Sequence, residues 1–417
     1  MNKKSVFVLL IASVFVLATV SLSPRRAQAQ VPGFFGSTRF PAIDVDKDDH
    51  LYLMMSVATA PVSEHRPHSQ IFFTLSKNGG ATWDNSPETR NLSHSKGEAF
   101  GPSVVVTKAG TLRSYVVYQD ESSGLNEAYL LRTKKKTKYK KPKILTQGGG
   151  GAYSPRVALD SSEAVNIVYG DTTDNVRRVN FIRSTDQGET FSDPLRLSGA
   201  SDGAFEPEIA VDPDDAINVA WEDSSADAGT IMFARSINGG QTFSDPVQIS
   251  TGSGRATQAA IVSDRTGRLS VTWVQEVGDE IQAFYTRSTD HGQTFSTPVN
   301  VSNKSGALVS KPLLATFADT VYLAYQNEAH NDQQVYLRKS DDAGVTFQDT
   351  VRISNANNNC GRAHSAAMVV DSQGLLHIVW IDASRVSGCN DEGVLFYSNS
   401  KDGHRFSTAQ MILAFIL

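Results

Sequence analysis

The chain has 417 residues, 40% of them hydrophobic and 20% charged, with a formal net charge of −5. This is ordinary globular composition, without the basic surface that nucleic acid demands. One undivided core is unusual at this length, so a repeat architecture is the first alternative to several domains.

The chain begins with an export signal. Lys3 and Lys4 form a positive start, Ser5 to Leu22 carry no charge, and Ala27-Gln28-Ala29 offers small residues at a cleavage site. The pattern predicts a Sec-type signal peptide over residues 1–29, and Arg25 and Arg26 argue against an uncleaved anchor. The mature chain, residues 30–417, is then expected in the periplasm or outside the cell, with no membrane span.

A period near fifty residues organises the mature chain. Ser184-Thr185-Asp186-Gln187-Gly188-Glu189-Thr190-Phe191 returns from Ser236, Ser288 and Ser340, always 52 residues on. An earlier copy runs from Ser76 through Asn78, Gly80 and Thr82 to Trp83, a degenerate one covers Arg132 to Tyr139, and a short last one starts at Ser400. Within a unit the grammar is constant. Residues 205 to 250 read as four short β-rich runs separated by turn residues, with no helical period. Four-stranded antiparallel units repeated in this way predict the blades of a β-propeller, seven by count or six as the alternative. The fold class is therefore all-β, in one propeller domain.

The recurring turn has a physical logic. Its Ser hydroxyl and Asp or Asn side chain can bond backbone N–H groups, its Gly takes a positive φ, and its aromatic can wedge between sheets. The pattern S-x-[DN]-x-G-x-T-[FW] resembles the Asp-box (BNR) repeats of the sialidase superfamily, over essentially the whole mature chain. The resemblance implies that the boxes lie on the rim away from the ligand face. Asn78, Asp186, Asn238, Asp290, Asp342 and Asp402 are thus expected to be structural.

Function is then sought in loop residues that break the repeat. Arg39 in Arg39-Phe40-Pro41 resembles the Arg of the sialidase entry motif, which binds a sugar carboxylate. Arg255 and Arg362 lie in corresponding loops, so the three can be expected either to converge on one anionic group or to stand apart in solvent. Asp120, Asp171, Asp223 and Asp382 each follow a Tyr or Trp by two residues, with Gln275 and Asn327 in the other copies. Such a ring suits Ca²⁺ or acid–base work, and equally suits strand-ending turns. Glu206, Glu222 and Glu276 lie near the same rim. The first unit's long loop, Val57 to Gln70, carries Glu64, His65, Arg66 and His68 but lacks the Asp that the resemblance requires. Glu64 is a substitute acid, and Tyr325 with Glu328 is a candidate nucleophile pair. No cofactor is called for.

Two other features stand apart from the boxes. Lys134 to Lys143 holds seven lysines, and Cys360 and Cys389, in an exported chain, are expected to form a disulfide. Three functions fit: a glycan- or ligand-binding propeller, an exo-sialidase or related glycoside hydrolase, and an assembly scaffold holding a protein on its top face. A monomer is expected in each case.

Overall fold

The computed structural model describes residues 38–59, 68–84, 91–135, 137–146, 151–199, 203–225, 229–302, 308–329, 332–355, 362–383 and 393–413. The leader, Glu64, His65, Arg66, Cys360 and Cys389 lie outside these residues. The described residues are β-structure and turns, with 3-10 geometry at Thr173–Asn175 and at Ala383. No helix among the described residues is long and apolar enough to cross a membrane.

The strands group into sheet units in chain order. Unit 1 has Thr38–Val45, Leu51–Thr59 and His68–Ser76, with Asn91 bridging to Phe72 where a fourth strand belongs. Unit 2 has Ala99–Val106, Ser114–Asp120 and Glu127–Lys135, and two short outer pieces that pair with the last of these. Unit 3 runs Ala152–Leu159, Val165–Asp171, Arg178–Ser184 and Leu195–Arg196. Units 4, 5 and 6 repeat this antiparallel meander from Ala204, Ala256 and Leu308, and unit 7 ends it with Ala363–Val370, Leu376–Asp382, Val394–Ser400 and Gln410–Leu413. Units 5 and 6 are joined by one parallel pairing, Ile281 with Leu308.

The core lies between units rather than within any one of them. Both faces of each second strand are largely buried, as a sheet packed on two sides requires. Tyr52, Met54 and Phe73 of unit 1 meet Val116 and Tyr118 of unit 2. Phe181 of unit 3 meets Val219 and Trp221 of unit 4. Leu53 and Met55 of unit 1 also meet Val379, Leu395 and Tyr397 of unit 7.

The box turns make these junctions specific. In unit 3 the Ser184 hydroxyl donates to Asp186 at 2.7 Å and accepts the Gly188 N–H at 2.8 Å. Asp186 in turn accepts the Thr190 N–H at 2.9 Å and its hydroxyl at 2.5 Å. These donors, led by the Thr190 hydroxyl, hold the exposed Asp186 carboxyl well below its ordinary range. The same bonds recur around Asp290 and Asp342, while in the boxes of Asn78 and Asn238 the amide oxygen accepts the Thr N–H and the amide nitrogen donates to the Thr hydroxyl. The box aromatic then packs edge-on against an aromatic of the preceding unit's third strand. Phe243 meets Phe181 at 5.2 Å, Phe295 meets Phe233 at 4.9 Å and Phe347 meets Tyr285 at 4.9 Å.

Between the last and first units the same contact holds, with Trp83 edge-on to Tyr397 at 5.4 Å. The hairpin bond repeats as well. The Ser161 N–H and hydroxyl donate to Asp215, at 2.7 and 2.6 Å, and those of Ser372 donate to Asp49, at 2.9 and 2.8 Å. Tyr397 donates to the Gly79 carbonyl at 2.9 Å, and its oxygen lies 2.7 Å from Nδ1 of the fully buried His377. Nε2 of His377 lies 3.1 Å from Asp371.

Two expectations follow for this junction. A Cβ at Gly80 (φ +85) would land on the Tyr397 phenol, whereas one at Gly79 (φ +62) would meet nothing within 4 Å. Gly80→Ala should cost about 3 kcal/mol, backbone strain plus overpacking, and Gly79→Ala about 1 kcal/mol, read by urea unfolding. Burial lowers the pKa of His377 despite Asp371 and Asp49. The folded state therefore binds fewer protons than the unfolded one, and stability should fall as pH drops below about 6.5. Melting between about pH 7 and pH 5 should show this slope, and His377→Asn should flatten it.

Candidate functional site: the axial cavity

Each first strand carries a β-bulge at the same place. The pairing to the second strand slips between Arg39 and Ala42, Phe100 and Ser103, Phe205 and Glu208, Thr257 and Ala260, Ser310 and Leu313, and His364 and Ala367. Unit 3 slips opposite Val168 to Gly170. At every bulge one residue takes a left-handed conformation: Phe40, Gly101, Ser154, Glu206, Gln258, Lys311 and Ser365, with φ between 47 and 62°. Five of the seven precede a Pro, which disfavours the right-handed helical region for them. A bulge leaves its extra residue unpaired and bends the strand, which here re-aims one side chain per unit.

Those seven residues line one cavity of about 590 Å³. Its lining also includes Ala42, Ser103, Arg156, Glu208, Leu313 and Ala367, each two residues further along its strand. Although the backbone repeats, the chemistry does not. Phe40, Ile43, Val104, Ala366 and Met368 give an apolar arc from units 7, 1 and 2. Ser154, Arg156, Glu206, Glu208 and Gln258 give a polar arc from units 3 to 5.

The polar arc is a connected network. Nε of Arg156 lies 2.7 Å from Glu208. Loss of solvation pushes the Glu208 carboxyl up against the pull of Arg156, even with 27% of the side chain still exposed. Glu222, on the second strand behind Glu206, is 2% exposed and accepts the Gln258 N–H. Burial first, and then the neighbouring Glu206 carboxylate, push Glu222 up to about 8, against the Gln258 N–H and the charge of Arg255. Near neutrality Glu222 therefore keeps a proton, beside Glu206. The Lys311 N–H donates to Gln258 Oε1 at 2.6 Å. The Lys311 ammonium lies 3.3 Å from Ser365 Oγ and 5.3 Å from the centre of the Phe40 ring, which is 41% exposed.

The residues singled out from sequence fall in several places. Arg39 is one residue before the bulge residue, whereas Arg255 and Arg362 are three before theirs, so the three do not share one repeat position. Arg255 is exposed and acts on the cavity through its charge on Glu222. The Arg362 carbonyl accepts the Ala383 N–H. Asp120, Asp171 and Asp223 each accept the N–H two residues on, from Ser122, Thr173 and Ser225, at 2.8, 2.8 and 2.9 Å. Asp382 is buried at the matching position. Tyr325 lies in the core between units 5 and 6, stacked on Tyr336 and 3.5 Å from Thr350, while Glu328 pairs in register with Leu308. Burial raises the Tyr325 phenol. Among the described residues, the carboxylates and imidazole close enough to share a metal ion are Asp46, Asp48 and His50, in the first hairpin turn. Of the lysine run, Lys140 pairs with Glu189 of the next unit's box at 2.6 Å.

No protein-family model matches the chain, and no curated protein does. Solved structures do match. A protein of unknown function from Dyadobacter fermentans DSM 18053 is 13% identical over 88% of this chain and 94% of that one, with a TM-score of 0.54. An ulvan lyase bound to a GlcA–Rha3S chain is 10% identical over 91% and 95%, also at 0.54. A leech intramolecular trans-sialidase complexed with 2,7-anhydro-Neu5Ac is 12% identical over 88% and 68%, at 0.50. What the chain shares with them is an all-β, propeller-like fold. At such identity the likeness says nothing about which side chains do the work.

The carboxyl pair gives a direct test. In a ¹³C titration of side-chain carboxyls, one Glu resonance should titrate near 8. Glu206→Gln should bring it down by removing the like charge.

Proposed function

We propose that the units close into a seven-bladed propeller, that the protein is exported, and that its axial cavity binds carbohydrate. Closure is supported by the order of contacts. Each unit's first strand lies against that of the next, and the first strand of unit 7 lies against that of unit 1. The repeated Ser–Asp and aromatic contacts between units 7 and 1 support it too. Export is supported by the charged, apolar and small-residue order of residues 1–29.

The observation that carries the ligand reading is the two-sided cavity. A pyranose has a C–H face and a rim of hydroxyls, and it fits a site with an exposed aromatic on one side and converging acceptors and donors on the other. Phe40 supplies the first, and Glu206, Gln258 and Ser154 supply the second. A volume of about 590 Å³ is in the range of small-ligand sites. Solved neighbours that carry sugars in the same fold make the reading more natural without identifying the sugar.

A hydrolase reading has one observation in its favour, the proton held on Glu222 beside Glu206, an arrangement suited to acid–base work. Release of a fluorogenic aglycone from a panel of glycosides tests it, and a rate that Glu222→Gln leaves unchanged would rule this pair out. Binding is tested on a glycan array followed by titration of the best ligand. Phe40→Ala should weaken binding by about tenfold, the loss of one stacking face, with the melting temperature held near wild type. An array with no binder, or a ligand indifferent to Phe40, would dismiss the cavity as its site.

A further inference from the structure

Resting on the carbohydrate reading of the axial cavity, we infer that the sugar it accepts is uncharged, with its ring face on Phe40 and its hydroxyls donated to Glu206, and that carboxylated and sulfated sugars are turned away. The inference comes from how the charges on the cavity wall are spent.

Two cations line the cavity, and both are engaged. Arg156 holds Glu208 through Nε at 2.7 Å and the Pro155 carbonyl through an NH group at 3.1 Å. The Lys311 ammonium is drawn to Ser365 and the Phe40 ring. The anions are not balanced in the same way. Among the described residues no cation lies within ion-pair distance of Glu206, and the carboxyl next to it is Glu222. The polar arc therefore presents a net negative group where a ligand's polar rim must dock.

An acidic sugar requires the reverse. Carboxylate and sulfate recognition uses a guanidinium or ammonium free to make charge-assisted, often bidentate bonds. Here it would have to pull Arg156 from Glu208, leaving that carboxylate unpaired, or draw Lys311 away from Ser365 and the Phe40 ring. Whichever cation it turns to, it meets Glu206 as a like charge. A neutral sugar meets no such conflict. Its hydroxyls donate to Glu206 in charge-assisted bonds, and Gln258 completes the rim. The bulge residue of unit 2 is Gly101, where an added Cβ would find open space, so the wall next to Phe40 is left clear for a ring.

The test is calorimetric titration of the mature chain at low salt with matched trisaccharides: cellotriose, maltotriose and tri-N-acetylchitotriose against trigalacturonate and sialyllactose. At least one neutral sugar should bind tenfold or more tightly than either acidic one, about the effect of one like-charge contact. Glu208→Gln should release Arg156 and shift the acidic-to-neutral affinity ratio up by about tenfold, and Glu206→Gln should shift it the same way. Circular dichroism and melting check that each variant is folded. Tighter binding of an acidic sugar by the wild-type chain, or a ratio that neither substitution moves, would overturn this inference and leave the carbohydrate reading standing. A folded protein that binds no member of the panel would overturn both.

Discussion

The cavity depends on one backbone constraint, the left-handed residue at the bulge of each first strand. A non-glycine residue pays about 1 to 2 kcal/mol for that conformation, and six units pay it. Flat strands at these positions would alternate their side chains between the two neighbouring sheets and leave the middle of the assembly bare. The bulge takes one residue out of that alternation and turns it inward. The pairing before and after it keeps the outer strands in register. A cavity lined by the bulge residue of every unit is the consequence.

The bulges could not be held in place without stiff junctions. Each box turn spends its Ser, Asp and Thr side chains on its own segment, leaving a rigid loop that reaches its neighbour chiefly through its aromatic. That aromatic enters the preceding unit against a third-strand ring, and the box glycine makes room for the same ring. Local hydrogen bonding and packing between units thus act through one eight-residue segment. The contact of Trp83 with Tyr397 shows that the segment works as well between distant ends of the chain as between consecutive units. His377 marks a local variation there. Arg183 and Arg235 pair with Asp160 and Asp212 inside units 3 and 4, while in unit 7 Asn399 stands at the arginine's place and His377 takes the aspartate.

The strands and the boxes were legible in the sequence because both rest on local rules. Alternation of apolar residues and the Ser, Asp, Gly and Thr of the turn act within eight residues of one another. The site was not legible in the same way. Pro41, Pro155 and Pro207 mark the repeat, but the residue before each is what reaches the cavity, and its role comes from a register slip against the neighbouring strand. Arg39, Arg255 and Arg362 look equivalent in the loops, yet the bulge sets Arg39 two positions apart from the others. Asp120, Asp171 and Asp223 each bond the backbone two residues on, a local use that sequence could suggest but not separate from ligand binding. Glu222, placed near the rim from sequence, is the clearest case of a role left unread. Its chemistry depends on Glu206, sixteen residues earlier, becoming its neighbour across a bulged pair.

A signal that could have found the site lies in the repeat itself. Aligned on the bulge, the position three residues on keeps one chemical type through all units, as Ile43, Val104, Val157, Ile209, Ile261, Leu314 and Met368, because it packs between neighbours. The bulge residue runs instead through Phe, Gly, Ser, Glu, Gln, Lys and Ser. A position with a strained backbone cannot vary for want of constraint, because the strain itself must be supported by surrounding structure. Variation in chemistry on a constant backbone therefore points away from architecture and toward what lies on the axis. In a repeat protein the residues that recur serve the architecture, and here the cavity is lined by two rings of positions, the bulge residue and the one two further on, where the units agree in shape and disagree in side chain.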